Sequence, residues 1–139
     1  MSPNSIAAVK ASWTEIAPIS DQTGFMLYTR LFELHPELRA LFKIDIKEQV
    51  QALMRMIDAA VCALDEPAPM LERIKALGAR HAPIGVSAAD YAKLGDALIW
   101  TLERALGERF KPALWCAWTE LYVLLSDIMQ IGDKADARL

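Results

Sequence analysis

Apolar residues recur at steps of three and four from one end of this chain to the other, and no stretch sustains a two-residue alternation. Steps of three and four stack side chains on one face of an α-helix, whereas a strand needs a period of two, so the chain is expected to be all-α. Added up, the helices read this way occupy roughly three quarters of the chain, against about one third in ordinary globular proteins. Six to eight helices with no internal repeat are expected.

The breaks between helices are written in proline and glycine. Ile6, Val9, Trp13 and Ile16 form a first stripe that ends at Pro18. A second helix is expected from about Asp21 to Leu34, with Phe25, Tyr28 and Phe32 on one face and Leu27, Leu31 and Leu34 on an adjoining one. Gly24 inside it lowers helix propensity by about 1 kcal/mol relative to Ala, which suggests that another backbone passes close by. Pro36 suits the first turn of a short helix over Glu37 to Phe42, because its missing N–H would be unpaired there anyway. A long helix from Ile46 to Leu64 follows, carrying Val50, Leu53, Met54, Ile57, Val61 and Leu64, with Gln49 on the edge of that face.

Two prolines between Glu66 and Pro69 mark the next break, and Leu71, Ile74, Leu77 and His81 then fall in one apolar line that Pro83 stops. Ser87 and Asp90 have the spacing of a capping box. The helix they open has Tyr91, Leu94, Leu98, Leu102 and Ala105 as its inward face and ends at Gly107. Pro112 starts the last helix, with Leu114, Trp118, Leu121, Leu125 and Ile128 inward to about Ile131, and Lys134 to Leu139 are expected to fray. Trp100, Trp115 and Trp118 are expected to pack between helices.

With 139 residues, 54% of them hydrophobic and 24% charged, the chain reads as one domain over 1–139 able to bury a sizeable core. Fifteen basic against 18 acidic residues give a net charge of −3 with no basic stripe, which argues against nucleic acid as a partner. No apolar run is longer than that from Ala59 to Leu64, far below the roughly 20 residues of a membrane span. The start, MSPNSIAAVKASW, lacks the basic and apolar segments of a secretory signal, so a cytoplasmic protein is expected. Cys62 and Cys116 form no C-x-x-C pair and read as reduced core residues. With His35 and His81 as the only histidines, a site built from several imidazoles is excluded, while one imidazole still suffices for one metal.

Order and residues together resemble the globin family from about Val9 to Ile131. The segments that carry the likeness are Trp13, LYTRLFELHPELRALF from Leu27 to Phe42, LGARHAPIGV from Leu77 to Val86, and AWTELY from Ala117 to Tyr122. The resemblance is to bacterial single-domain haemoglobins and the haem domain of flavohaemoglobins in particular. It implies a globin fold around a haem pocket and haem b, iron protoporphyrin IX, as cofactor. His81 matches the proximal iron ligand and His35 does not; on spacing alone His81 reads as an ordinary histidine near a helix end. One neutral imidazole is all that a five-coordinate ferrous haem requires of the protein.

The same resemblance places Phe42 where an aromatic ring stacks on the porphyrin, and Tyr28 and Gln49 on the distal side. Gln49 replaces the distal histidine of myoglobin. A phenol O–H and an amide N–H both donate hydrogen bonds to an oxygen ligand that has drawn electron density, whereas CO is less polar and gains less. On spacing alone, Tyr28 reads equally as a core tyrosine and Gln49 as a solvated helix residue. Tyr91 matches a proximal tyrosine, and the accompanying glutamate position falls on Asp133, one methylene shorter. Leu53, Met56, Ile57, Leu77, Val86, Leu94 and Leu98 are candidate pocket walls, and Arg80 is placed beside His81 to reach a haem propionate or solvent.

The resemblance implies a gas-binding protein for O2, NO and CO, with Tyr28 and Gln49 stabilising bound oxygen. Likeness to flavohaemoglobins further implies NO dioxygenation, for which re-reduction falls to an external reductase because the chain leaves no room for a flavin or nicotinamide domain. Oxygen storage or delivery, gas sensing without turnover, and a haem-free interaction module are the alternatives. No nucleic acid and no membrane are expected as partners.

Overall fold

Several of the predicted boundaries have a side-chain or backbone device behind them in the computed structural model, which describes residues 1–42, 45–65, 72 and 87–137, with side chains left aside for Met129 and for 131–137. Helix α1 spans Pro3–Ile16: Ser2 caps it, its hydroxyl accepting from the Ser5 N–H at 3.1 Å, and Pro3 stands in the first turn. Pro18 turns the chain through a 3-10 turn, Ala17–Ile19, into α2, Ser20–Leu34. His35 leaves helical geometry at φ −137° and ψ 71°, as the residue before a proline tends to, and Pro36–Leu41 forms a 3-10 helix with Phe42 at its end.

Asp45 caps α3, Ile46–Ala63, by accepting from the Lys47 N–H at 2.8 Å. The capping box opening α4, Ala88–Leu106, is complete: the Asp90 N–H donates to the Ser87 hydroxyl and the Ser87 N–H to the Asp90 carboxylate, each at 3.1 Å. Gly107 ends α4 at φ 60°, a left-handed conformation that glycine tolerates best. Helix α5 runs Pro112–Ala137, past the expected end near Ile131 and into residues expected to fray. The described residues thus hold five α-helices and three 3-10 segments and no strand. The helix expected from Leu71 to His81 lies outside the described residues.

Helix α2 packs on both α3 and α4, while α1 packs on α5 and α3, and α4 on α5. Val9, Leu27, Leu31, Leu53, Ile57, Leu98, Leu102 and Trp118 meet in one hydrophobic cluster. The Trp118 indole N–H donates to the Ser12 hydroxyl at 2.9 Å, and that hydroxyl donates to the Val9 carbonyl at 2.8 Å, so the buried polar atoms at the α1–α5 contact are paired. Trp13 lies 6.0 Å from Trp118 between ring centroids and donates its N–H to Asp58 on α3 at 2.8 Å.

Several expectations need correction. Cys62 and Cys116 are free thiols but exposed, not core residues. Phe25 and Leu34 are 40% and 52% exposed, because no described element covers the outer side of α2 at those positions. Trp115 is 48% exposed, and half-buried Trp100 carries the guanidinium groups of Arg30 and Arg104 over its ring at 4.6 and 4.4 Å; of the three tryptophans, Trp118 is the one packed into the core. What comes close at Gly24 is a side chain, not a backbone: a Cβ there would stand 2.5 Å from Val50 Cγ1. Among the described residues no helix is long and apolar enough to cross a membrane.

Candidate functional site

Where α2 crosses α3, two polar side chains are buried together. Tyr28 is 1% exposed and Gln49 4% exposed, and the Gln49 amide N–H donates to the Tyr28 hydroxyl oxygen at 3.3 Å. Gly24 is one turn before Tyr28 on α2, and Val50, which Gly24 admits, follows Gln49 on α3. The missing side chain at Gly24 therefore sets how closely the two helices approach where the pair forms.

The direction of that bond leaves the Tyr28 hydroxyl proton without an acceptor among the described residues. Burial pushes the phenol well above its ordinary pKa of about 10, while the Gln49 bond pulls in the opposite direction. At neutral pH Tyr28 is thus a protonated donor held in an apolar setting. Such a group is costly to leave unpaired and is disposed to meet an acceptor brought by a ligand.

An aromatic group adjoins the pair. Phe42 meets Tyr28 edge-on at 5.5 Å and Phe32 edge-on at 5.6 Å, and Tyr28 and Phe32 are 5.9 Å apart. Arg39 lies 5.4 Å from the Phe32 ring, covering it from the 3-10 helix that presents Phe42. Phe42 is only half-buried, at the edge of the core. Of the expected pocket walls, Leu53, Met56 and Ile57 are buried on α3, and Leu94 and Leu98 on α4.

Tyr91 is buried in the first turns of α4, and its carbonyl accepts from the Tyr122 hydroxyl at 2.7 Å. Tyr122 was not singled out by sequence reasoning. A signal was available in Gly95, one turn after Tyr91 on a face otherwise apolar: a Cβ there would stand 2.5 Å from Tyr122 Cε2, so the glycine makes room for the ring. Burial pushes the Tyr122 phenol up as well, with the nearby Tyr28, Tyr91 and Asp96 adding to it.

The structure brings together Tyr28, Gln49 and Phe42, and buries Leu53, Met56, Tyr91 and Leu94. His81, Leu77, Val86 and Arg80 lie outside the described residues, as does the side chain of Asp133. His35 is not part of the buried pair: it ends α2, with Nδ1 3.7 Å from a Glu37 carboxylate oxygen.

The Globin family model matches residues 26–129. Among curated proteins, the chain is similar to neuroglobin from Chaenocephalus aceratus, 30% identical over 148 residues and covering 92% of this chain and 93% of that one. Neuroglobin from Danio rerio is 30% identical over 138 residues, covering 89% of this chain and 87% of the relative. Among solved structures, a hexacoordinated heme protein from an anhydrobiotic tardigrade superposes with a TM-score of 0.84 at 17% identity, covering 96% of each chain.

Proposed function

The chain belongs to the globin family, and on that premise we propose that it is a haem b protein that binds O2, NO and CO on the side guarded by Tyr28 and Gln49, with His81 as the iron ligand. Haem, when bound, supplies an iron with one position for a protein ligand and one for a diatomic gas. The residues present fit such a group. The buried Tyr28 O–H has no acceptor among the described residues, the described walls on α3 and α4 are apolar, and Phe42 offers an aromatic face at the core edge. His81, Leu77 and Val86 take their roles from the motif they match, and Tyr91 from its match to the proximal tyrosine of the family.

The observation that carries the reading is the Gln49-to-Tyr28 hydrogen bond. Gln49 gives one of its two amide N–H groups to the phenol oxygen and so fixes where the phenol proton is presented. A ligand that carries negative charge on its outer atom gains a hydrogen bond from Tyr28, at about 1.5–3 kcal/mol for a charged partner, and neutral CO gains less. Selection among gases and slow oxygen release follow. That favours chemistry on retained oxygen, namely NO dioxygenation to nitrate with electrons from an external reductase, over simple delivery. The likeness to bacterial haemoglobins rests on the sequence segments that carry the globin resemblance, Leu27 to Phe42 among them, while the curated relatives named above are neuroglobins.

An open gas position is supported by the side chains available. His35 is the only histidine besides His81, and it sits at the end of α2 beside Glu37. Optical spectra of the ferric, ferrous and CO forms test the proposal. Five-coordinate ferrous spectra that His81→Ala abolishes are expected; a colourless protein after hemin titration, or a six-coordinate ferrous form, overturns the cofactor or the open position respectively. Stopped-flow mixing of the oxygenated protein with NO tests the dioxygenase reading, which fails if ferric protein and nitrate do not appear rapidly.

A further inference from the structure

We infer that the groove between α4 and α5 is a binding site for a small organic cation, an ammonium carried on an aryl or alkyl body. The groove has a volume of about 420 Å³, within the range of roughly 300–1,000 Å³ common to small-molecule sites. Two stripes at helical spacing form its walls. Trp115, Thr119, Val123 and Asp127 succeed one another every fourth residue on α5, and Ala88, Ala92 and Asp96 do so on α4. Ala88, Ala92 and Gly95 are the small residues of the α4 side, and they leave space beside the α5 stripe. Tyr122, lying against Gly95, contributes to the lining between the walls.

The chemistry of the lining selects the ligand. Trp115 and Val123 are 48% and 53% exposed, apolar surface that nothing in the chain covers among the described residues. Asp96 and Asp127 are exposed carboxylates without an ion-pair partner among those residues, and no Lys, Arg or His is among the described residues that line the groove. An anion is repelled there, and a neutral apolar molecule gains nothing from the carboxylates. An aryl ammonium satisfies both features, its body against Trp115 and Val123 and its charge toward Asp96 and Asp127. A second copy of this chain fits less well, because a two-fold contact on this face sets those carboxylates near their own copies in a protein of net charge −3. None of the groove's residues belongs to the Tyr28–Gln49 pair or its walls, so the inference stands or falls separately from the gas-binding reading.

Calorimetric titration of the purified protein with phenethylamine, its neutral analogue phenethyl alcohol, and phenylacetate tests it. The Trp115 indole N–H resonance, assigned through Trp115→Phe, reports location. The expected result is one saturable site that moves this resonance, with the alcohol about tenfold weaker than the amine and phenylacetate weaker still. Trp115→Ala weakens the amine about threefold. The Asp96→Asn/Asp127→Asn double variant binds amine and alcohol alike. All these positions are exposed, so the variants keep the fold. Absence of saturation by about 10 mM amine, equal binding of amine and alcohol to the unmodified protein, or discrimination that survives the double variant overturns the assignment. So does concentration-dependent dimerisation that Trp115→Ala abolishes, since the face would then be an interface between copies.

Discussion

Gln49 donates its side-chain amide to the phenol oxygen of Tyr28 across 3.3 Å, and the direction of this bond divides the labour between them. Tyr28 keeps a proton to give, and Gln49 determines where it points.

Replacing Tyr28 with Phe removes that proton and leaves the Gln49 amide without its acceptor in the core. Oxygen release, followed by stopped-flow displacement with CO, is expected to accelerate by one to two orders of magnitude, because a hydrogen bond to a charged partner contributes about 1.5–3 kcal/mol. CO release should change far less. Gln49→Leu should accelerate oxygen release by a smaller factor, since the phenol loses only its positioning partner. A larger effect of Gln49→Leu than of Tyr28→Phe would reverse the assigned roles.

Gly24→Ala tests whether the helix crossing sets this geometry. The new methyl would stand 2.5 Å from Val50 Cγ1, and a β-branched side chain on a helix has little freedom to move aside. Overpacking of this kind costs about 1–3 kcal/mol, less the small gain in helix propensity. Denaturant unfolding should show the loss, and oxygen release should quicken as α2 and α3 separate at Tyr28 and Gln49. Adding Val50→Ala should restore the release rate by clearing the overlap, even though it leaves the core less full.

Gly24 also shows what a sequence can and cannot convey. A glycine inside a helical pattern announces a close approach, but the approaching group, Val50, is 26 residues away by number and no spacing rule points to it. The capping box at Ser87 and Asp90, the stop at Gly107 and the start at Pro112 were legible because each depends on residues within one turn. Exposure of Phe25, Leu34 and Trp115 was not, since periodicity says which residues share a face and not whether another helix arrives to cover it. Family resemblance pointed to Tyr28 and Gln49 one by one, but not to the hydrogen bond between them. Tyr122 stayed hidden because its acceptor is the Tyr91 backbone carbonyl, which any residue type supplies.

Alkaline titration provides a test with a definite sign. Burial raises the folded-state pKa of Tyr28 and Tyr122 above the ordinary phenol value of about 10. In the interval between the unfolded and folded values the native chain binds more protons than the unfolded one, so stability falls as pH rises. The contribution is complete below about pH 10 and is lost above it. Of the three tyrosines, Tyr28 and Tyr122 should therefore show no phenolate absorbance until the helical circular dichroism collapses. Tyr28→Phe and Tyr122→Phe should each reduce the slope of stability against pH above that point. Reversible ionisation of either residue in a chain that stays helical would contradict the burial that the site depends on.

The Ser12 hydroxyl stands between the Trp118 indole and the Val9 carbonyl, accepting from one at 2.9 Å and donating to the other at 2.8 Å. Ser12→Ala leaves the indole N–H buried without an acceptor, which costs about 1–3 kcal/mol. Trp118→Phe removes the donor and some packing volume, at a cost in the same range or above. Ser12→Ala placed on top of Trp118→Phe no longer orphans an N–H, so the double variant should be more stable than the sum of the two single losses implies. Such contacts typically show a coupling of about 0.5–3 kcal/mol. Additive losses in denaturant unfolding would mean that the indole finds another acceptor when Ser12 is absent. Oxygen release should be unchanged in all three variants, because this hydrogen-bond chain joins α1 to α5 and touches neither Tyr28 nor Gln49.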